Sequence, residues 1–149
     1  MPGFLETTVD KFIFRVATDR RYSAEGVWAL AEGDRIRVGV SDFLQQRNGD
    51  VAFVEPRRVG TSIAVGDEAA LIETIKANVE VPSPVAGVIA EVNPALAAAP
   101  EVINQEPYGG GWLVAVDPAD WPADGANLLE PQAYLELMRR QAEQEAARP

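Results

Sequence analysis

The chain has 149 residues, enough for one domain to bury a core without disulfide or metal staples. With 47% hydrophobic and 24% charged residues, it reads as globular and soluble rather than disordered. It contains no cysteine and no histidine, which excludes disulfides, thiolate catalysis, histidine-dependent triads and the usual zinc sites; redox or acyl chemistry has to arrive on a cofactor. The formal charge of −10 disfavours nucleic acid and anionic membranes and favours basic protein surfaces, with association rates that fall as salt rises. No apolar run approaches a membrane span and the first residues lack a signal-peptide pattern, so a cytoplasmic location is the default expectation.

In chain order, Val9 to Val16 alternates, with Phe12, Phe14 and Val16 on one face and Lys11, Ile13 and Arg15 on the other, as an edge strand would. Thr18 to Tyr22 is polar and reads as a loop; Gly26 to Ala31 then carries Trp28 into a strand. Gly33-Asp34 signals a turn before a strand over Ile36 to Val40, together a hairpin. Ser41 is placed to cap a short helix, Asp42 to Arg47, which Gly49 ends. Val51 to Glu55 reads as a strand stopped by Pro56, and Trp28, Phe43 and Phe53 are expected in the core. Val59 to Asp67 sets Gly60 and Gly66 around a short extended piece able to redirect the chain between sheets.

Ala69 to Glu73 is almost wholly apolar, and Asn78 to Pro82 alternates polar residues with valine, so the two read as the arms of a β-hairpin. Between them sits Lys76. At such a tip a lysine stem has nothing to lie on, but the amine stands within reach of an enzyme that could acylate it. A free lysine amine is mostly protonated and a weak nucleophile until it is positioned and deprotonated.

Gly87 to Val92 supplies a further strand. Asn93 and Pro94 open a helical insertion over Ala95 to Val102, with Leu96, Val102 and Ile103 as packing residues. Pro107 to Trp112 reads as a loop entering the strand Leu113 to Val116, and Pro118 to Asn127 as a turn-rich connection. Pro131 starts a helix to about Ala147, with Leu128, Leu129, Tyr134, Leu135 and Met138 as its apolar stripe. Glu136 and Arg140 form an i,i+4 pair worth about 0.3 kcal/mol.

The run Glu73-Thr74-Ile75-Lys76-Ala77 followed by Pro82-Ser83-Pro84-Val85-Ala86-Gly87 resembles the lipoyl-lysine hairpin of lipoyl domains. Tyr22 to Trp28, Val38 to Phe43, Gly49 to Glu55 and Val59-Gly60 upstream extend the resemblance to the glycine-cleavage H protein family. Downstream it continues through Val92 to Leu96, Asn104 to Gly109 and Gly111-Trp112-Leu113, covering about Tyr22 to Val116 and again the closing helix. Two positions depart from the family habit: Gly26 stands where a histidine is common, and Gly110 where an acidic residue is, which predicts a looser loop.

The resemblance implies a mainly β fold, a lipoyl-domain-like flattened β-barrel or sandwich (a barrel-sandwich hybrid) with short helices and a C-terminal helix. Residues 1–21 would be an N-terminal extension, 22–127 the lipoyl domain and 128–149 the helix packed on it. It implies a carrier rather than an enzyme, with no catalytic residue and no metal of its own, and with lipoate amide-linked to Lys76. Glu73, Glu80, Gly60 and Gly87, at three before, four after, sixteen before and eleven after the lysine, match the positions on which the family's lipoylating enzyme depends. Biotin carriers usually flank their lysine with methionines, which Ile75 and Ala77 do not match. Neither a long linker nor an acyltransferase domain accompanies the hairpin, so a free-standing carrier is expected.

Implied partners are a lipoate ligase or the lipoyl synthesis enzymes, and then one of two sets. The added N-terminal strand, Gly26 and the acidity lean toward the H-like lipoate-binding proteins of sulfur-oxidising prokaryotes, carrying sulfur-bound intermediates for a heterodisulfide-reductase-like complex. The alternative is the glycine cleavage set, in which an aminomethyl group passes between decarboxylase, aminomethyltransferase and dihydrolipoamide dehydrogenase. An H-like protein that is never lipoylated, and serves as a structural or regulatory module, is the third reading.

Overall fold

The computed structural model describes residues 3–147. β1 (Phe4–Val9) and β2 (Phe12–Ala17) pair antiparallel in a sheet of their own. The single edge strand expected over Val9 to Val16 is corrected: Asp10 and Lys11 form a turn inside that stretch, with Asp10 at a φ of 57°. The alternating residues Phe12, Phe14 and Val16 belong to the second arm alone, and the first arm is Phe4 to Val9.

Two larger sheets follow. β3 (Arg21–Tyr22), β4 (Val27–Glu32) and β5 (Arg35–Val40) join β11 (Val114–Pro118), β10 (Gly87–Val92) and β7 (Ser62–Ile63) in the order β3-β4-β5-β11-β10-β7. β6 (Val51–Pro56), β8 (Glu68–Thr74) and β9 (Asn78–Pro82) form the other, in the order β6-β8-β9. Arg21 and Tyr22 are therefore strand rather than loop. The inward residues of both sheets, among them Val38, Val116, Ile89, Ile72 and Val81, make one buried cluster. The molecule is mainly β, with several antiparallel sheets and a C-terminal helix, as expected.

Short helices close the ends. Ser41 caps α1 (Asp42–Asn48), its hydroxyl accepting from the Leu44 N–H, and Gly49 ends it. The insertion after β10 is two helical turns, α2 (Ala95–Ala98) and α3 (Val102–Gln105), rather than one helix. Pro100 explains the break: it lacks a donor and pushes Ala99 out of the helical region, to a φ of −146°. Asn93 does serve the first of them, its Oδ1 accepting from the Ala95 N–H. Its Nδ2 donates to the carbonyls of Gly110 and Trp112, so the loop expected to be loose at Gly110 is pinned. Within the turn-rich connection lies α4 (Trp121–Ala126), capped by Asp120.

α5 (Pro131–Ala146) buries Tyr134, Leu135, Met138 and Ala142. With Val9, Phe14, Val16, Tyr22, Trp28 and Phe43 they form a second, aromatic-rich core beneath the β1–β2 hairpin. The stripe read for this helix is split, since Leu128 packs on the first core and Leu129 on the second. Tyr22 and Tyr134 stack with centroids 4.5 Å apart, and Arg20, 5% exposed, lies over Trp28. Gly26 belongs here: a Cβ on it would stand 2.9 Å from the Tyr134 hydroxyl, which bonds Ser41 at 2.7 Å. Arg140 bonds the Glu136 carbonyl rather than its carboxylate, and the i,i+4 ion pair of this helix is Arg139–Glu143 at 3.8 Å. Among the described residues no helix is long and apolar enough to cross a membrane.

Candidate functional site

β8 and β9 run antiparallel up to Glu73 opposite Asn78, and Ile75, Lys76 and Ala77 lie in the closure between them. Thr74 closes it. Its N–H donates to the Ala77 carbonyl at 2.9 Å, and its hydroxyl accepts from the N–H groups of Lys76 at 3.2 Å and Ala77 at 3.1 Å. A tip too short for a regular turn ladder thus satisfies its backbone through one side chain. Neither the hydroxyl's role nor its need was read from the sequence, although a threonine two residues before an exposed position is a turn signal.

The tip is also tied to the body. The Ile75 N–H donates to the Asp50 carbonyl at 3.3 Å, and the segment around Asp50 is clamped by Asn104. Asn104 Oδ1 accepts from the Val51 N–H at 2.9 Å, while its Nδ2 donates to the Gly49 carbonyl and to Gln45 Oε1, each at 3.0 Å. This route from α3 to the lysine joins residues some fifty positions apart, so no local pattern announces it.

Lys76 is exposed and Ile75 is 76% exposed. No ion pair involves Lys76 among the described residues. Its stem does have something to lie on, contrary to expectation: a Cβ built on Gly49 would stand 3.4 Å from Lys76 Cε. The residues present therefore fit an amide-linked arm, with an exposed, unpaired amine on a base held by its own turn.

Of the other residues singled out, Glu73 and Glu80 come together. Register places Leu71 opposite Glu80 and Glu73 opposite Asn78, so the two glutamates share the outward face of the hairpin as diagonal neighbours. Phe53 stands beside them, opposite Glu73 and 53% exposed. Its expected place in the core is corrected by a bulge between Val51 and Phe53, which turns it outward while Val51 and Val54 stay buried. Trp28 and Phe43 are buried as expected.

Gly87 opens β10 in the other sheet, and Gly60 lies in the turn just before β7, so the two flank the β7–β10 margin. The Gly60 N–H donates to the Ile89 carbonyl at 2.8 Å, and Gly87 pairs with Ile63. At Gly87, φ is 156° and any Cβ would collide with the Asp117 carbonyl. The backbone alone accounts for that glycine.

Comparison with known proteins points to one family. A family model described as "Glycine cleavage H-protein" matches residues 20–141. The glycine cleavage system H protein of a Thermus thermophilus strain is 40% identical over 127 residues, which covers 85% of this chain and 98% of that protein. That of an Anaeromyxobacter strain is 39% identical over 126 residues, with the same coverage, 85% and 98%. The crystal structure of a glycine cleavage system H protein from Mycobacterium marinum superposes with a TM-score of 0.72 at 32% identity, over 80% of this chain and 95% of that one.

Proposed function

The chain belongs to the glycine cleavage H-protein family, a carrier rather than an enzyme, and from that premise we propose that Lys76 is its lipoyl attachment point and that it serves glycine cleavage enzymes. The observation that carries the reading is the Lys76 tip: an exposed, unpaired amine on a closed turn, with two carboxylates on the outward face below it. Lipoate would supply a disulfide ring that opens to two thiols, a redox couple absent from a polypeptide without cysteine. The residues of this chain contribute presentation. Thr74 and Asp50 fix the base of the side chain, and Glu73 and Glu80 face the lipoylating enzyme, while Gly60 and Gly87 act through the shape of the β7–β10 margin.

The names of the relatives favour the glycine cleavage partners, decarboxylase, aminomethyltransferase and dihydrolipoamide dehydrogenase, over the sulfur-carrying reading toward which the sequence leaned. One observation keeps that second reading in play: the β1–β2 hairpin lies outside the matched residues 20–141. Intact mass of protein made with lipoate available should show one lipoyl increment, lost in Lys76→Ala; no increment in the parent chain would return the third reading, a module never lipoylated. Lipoylated protein mixed with a glycine decarboxylase should then support exchange between glycine and bicarbonate. Full lipoylation without exchange would turn the assignment to a heterodisulfide-reductase-like partner.

A further inference from the structure

The sheet formed by β1 and β2 has two outer edges, and the fold treats them differently. The Thr18 N–H donates to the Gly3 carbonyl, so by alternation Leu5, Thr7 and Val9 bond across to β2, while the backbone groups of Phe4, Glu6 and Thr8 point the other way. On β2 the residues whose backbone points away from β1 are Ile13, Arg15 and Ala17, and a side chain of the body meets each of them. Gln46 donates to the Ile13 carbonyl, Tyr108 to that of Arg15 and Tyr22 to that of Ala17, while Asp42 accepts from the Arg15 N–H. Among the described residues nothing bonds the backbone of Phe4, Glu6 or Thr8 along the outer edge of β1, and all three are exposed. The other sheet edges are blunted in the ways that keep foreign strands from adding on. Tyr22 of β3 exchanges bonds with Leu129, β7 is two residues long, β6 carries a bulge and ends in Pro56, and β9 ends in Pro82. β1 has no proline, lysine or bulge, and its one charge, Glu6, is paired with Arg15 at 3.3 Å.

We propose that this edge pairs with the same edge of a second copy, joining two hairpins into one continuous antiparallel sheet about a two-fold axis at Thr7. Register and charge both point to self-pairing. Centred on Thr7, the two strands set Glu6 opposite Thr8 of the second copy and the half-buried Leu5 opposite its Val9, and each outward-facing pair exchanges both of its backbone bonds. Centred on Glu6, the same strands would face carboxylate to carboxylate, which is unfavourable. Charge also selects the hairpin as the meeting place. Residues 3–17 hold Glu6, Asp10, Lys11 and Arg15 and carry no net charge, so the whole of the −10 lies elsewhere. Two such copies repel least where their hairpins meet. The hairpin precedes the residues matched to the family, 20–141, so the open edge is an addition of this chain. The inference does not depend on modification of Lys76.

The test is sedimentation equilibrium of the full, unmodified chain from about 1 μM to about 1 mM. The mass should climb from one chain toward two with concentration, and added sodium chloride should favour the pair, because it screens repulsion between two acidic bodies. Thr8→Glu sets a carboxylate opposite Glu6 of the second copy, twice over by symmetry, and should weaken association about tenfold; Thr8→Arg sets a cation there and should tighten it about tenfold. The same two changes at exposed Ala97, on α2, shift the net charge equally and should have far less effect. Opposite responses at one exposed position do not arise from misfolding. Amide exchange should slow with concentration at Glu6 and Thr8 and stay as it is at Leu5 and Thr7, which are already bonded to β2. One-chain mass at every concentration, or a pair indifferent to both Thr8 changes, would overturn the proposal. So would a pair that salt dissolves, since that marks attraction between opposite charges on another face. Lipoylation and glycine exchange are read separately, and the carrier function stands in each of these outcomes.

Discussion

The chain has two lysines, Lys11 and Lys76, and the fold places each in the turn of an antiparallel hairpin. Both are exposed. What separates them is their setting. The Lys76 closure is held by the Thr74 hydroxyl and by the Asp50 carbonyl, and carboxylates stand three before and four after the lysine. At the corresponding offsets from Lys11 stand Thr8 and Arg15, and its turn relies on a left-handed Asp10. The two hairpins are also anchored differently, the first by tyrosine hydroxyls together with Asp42 and Gln46 of α1, and the second by the Asp50 backbone that Asn104 clamps. Tyr108 donates to the Arg15 carbonyl, and Tyr22 to that of Ala17. An accessible amine on a bend is therefore common to both, and only the neighbouring residues set Lys76, the proposed attachment point, apart from Lys11.

The sharpest way to break this contrast is to exchange the lysines for arginine one at a time. Lys76→Arg should abolish the lipoyl mass increment and Lys11→Arg should retain it, with stability in both within about 0.5 kcal/mol of the parent. A modified Lys11 in the first variant would mean that the flanking residues do not matter. Next in size, Asn104→Ala should cost about 2 kcal/mol in denaturant unfolding, because it orphans the Val51 N–H and the Gly49 carbonyl under the Lys76 tip. Glu73→Gln should slow lipoylation by about tenfold, equivalent to about 1.4 kcal/mol of lost charge complementarity, with stability unmoved. Thr74→Val should cost about 1 kcal/mol and raise hydrogen exchange at Lys76 and Ala77, whose amides lose their acceptor.

Alkaline pH should act on the two hairpins unequally. Burial pushes the Tyr134 phenol up to about 12, and it holds Tyr22 and Tyr108 higher still. A phenol that keeps its proton longer in the folded than in the unfolded chain contributes stability in full below its ordinary value of about 10, and that contribution fades as pH rises through the folded value. Amide exchange and tyrosinate absorbance followed upward from pH 10 should therefore show β1–β2 loosening before the β8–β9 tip. At neutral pH the contribution is complete and small changes of pH leave both hairpins unmoved.

The sequence made the Lys76 hairpin legible because polar and apolar residues switch period there and the matching motifs lie in order on both sides. The first hairpin was half legible. Asp10-Lys11 is not one of the glycine-bearing pairs that announce a two-residue turn, and the alternation of Phe12, Phe14 and Val16 marks only the second arm. Phe53 misled for a related reason: alternation predicts a face only while the register holds, and a bulge leaves no mark in composition. Asn104 could not be found from its neighbours, since its three bonds run to residues that only the folded topology brings near. Gly87 was flagged by resemblance as a recognition residue, and the Asp117 carbonyl supplies an independent reason for it.

The route from Asn104 through Asp50 to the Ile75 amide has a dynamic consequence. With the mounting point braced from within, the volume that any attached group sweeps is governed by the torsions of the lysine stem and of the group itself, not by wobble of the bend. Exchange among client enzymes would then be timed by how firmly each one grips the cargo.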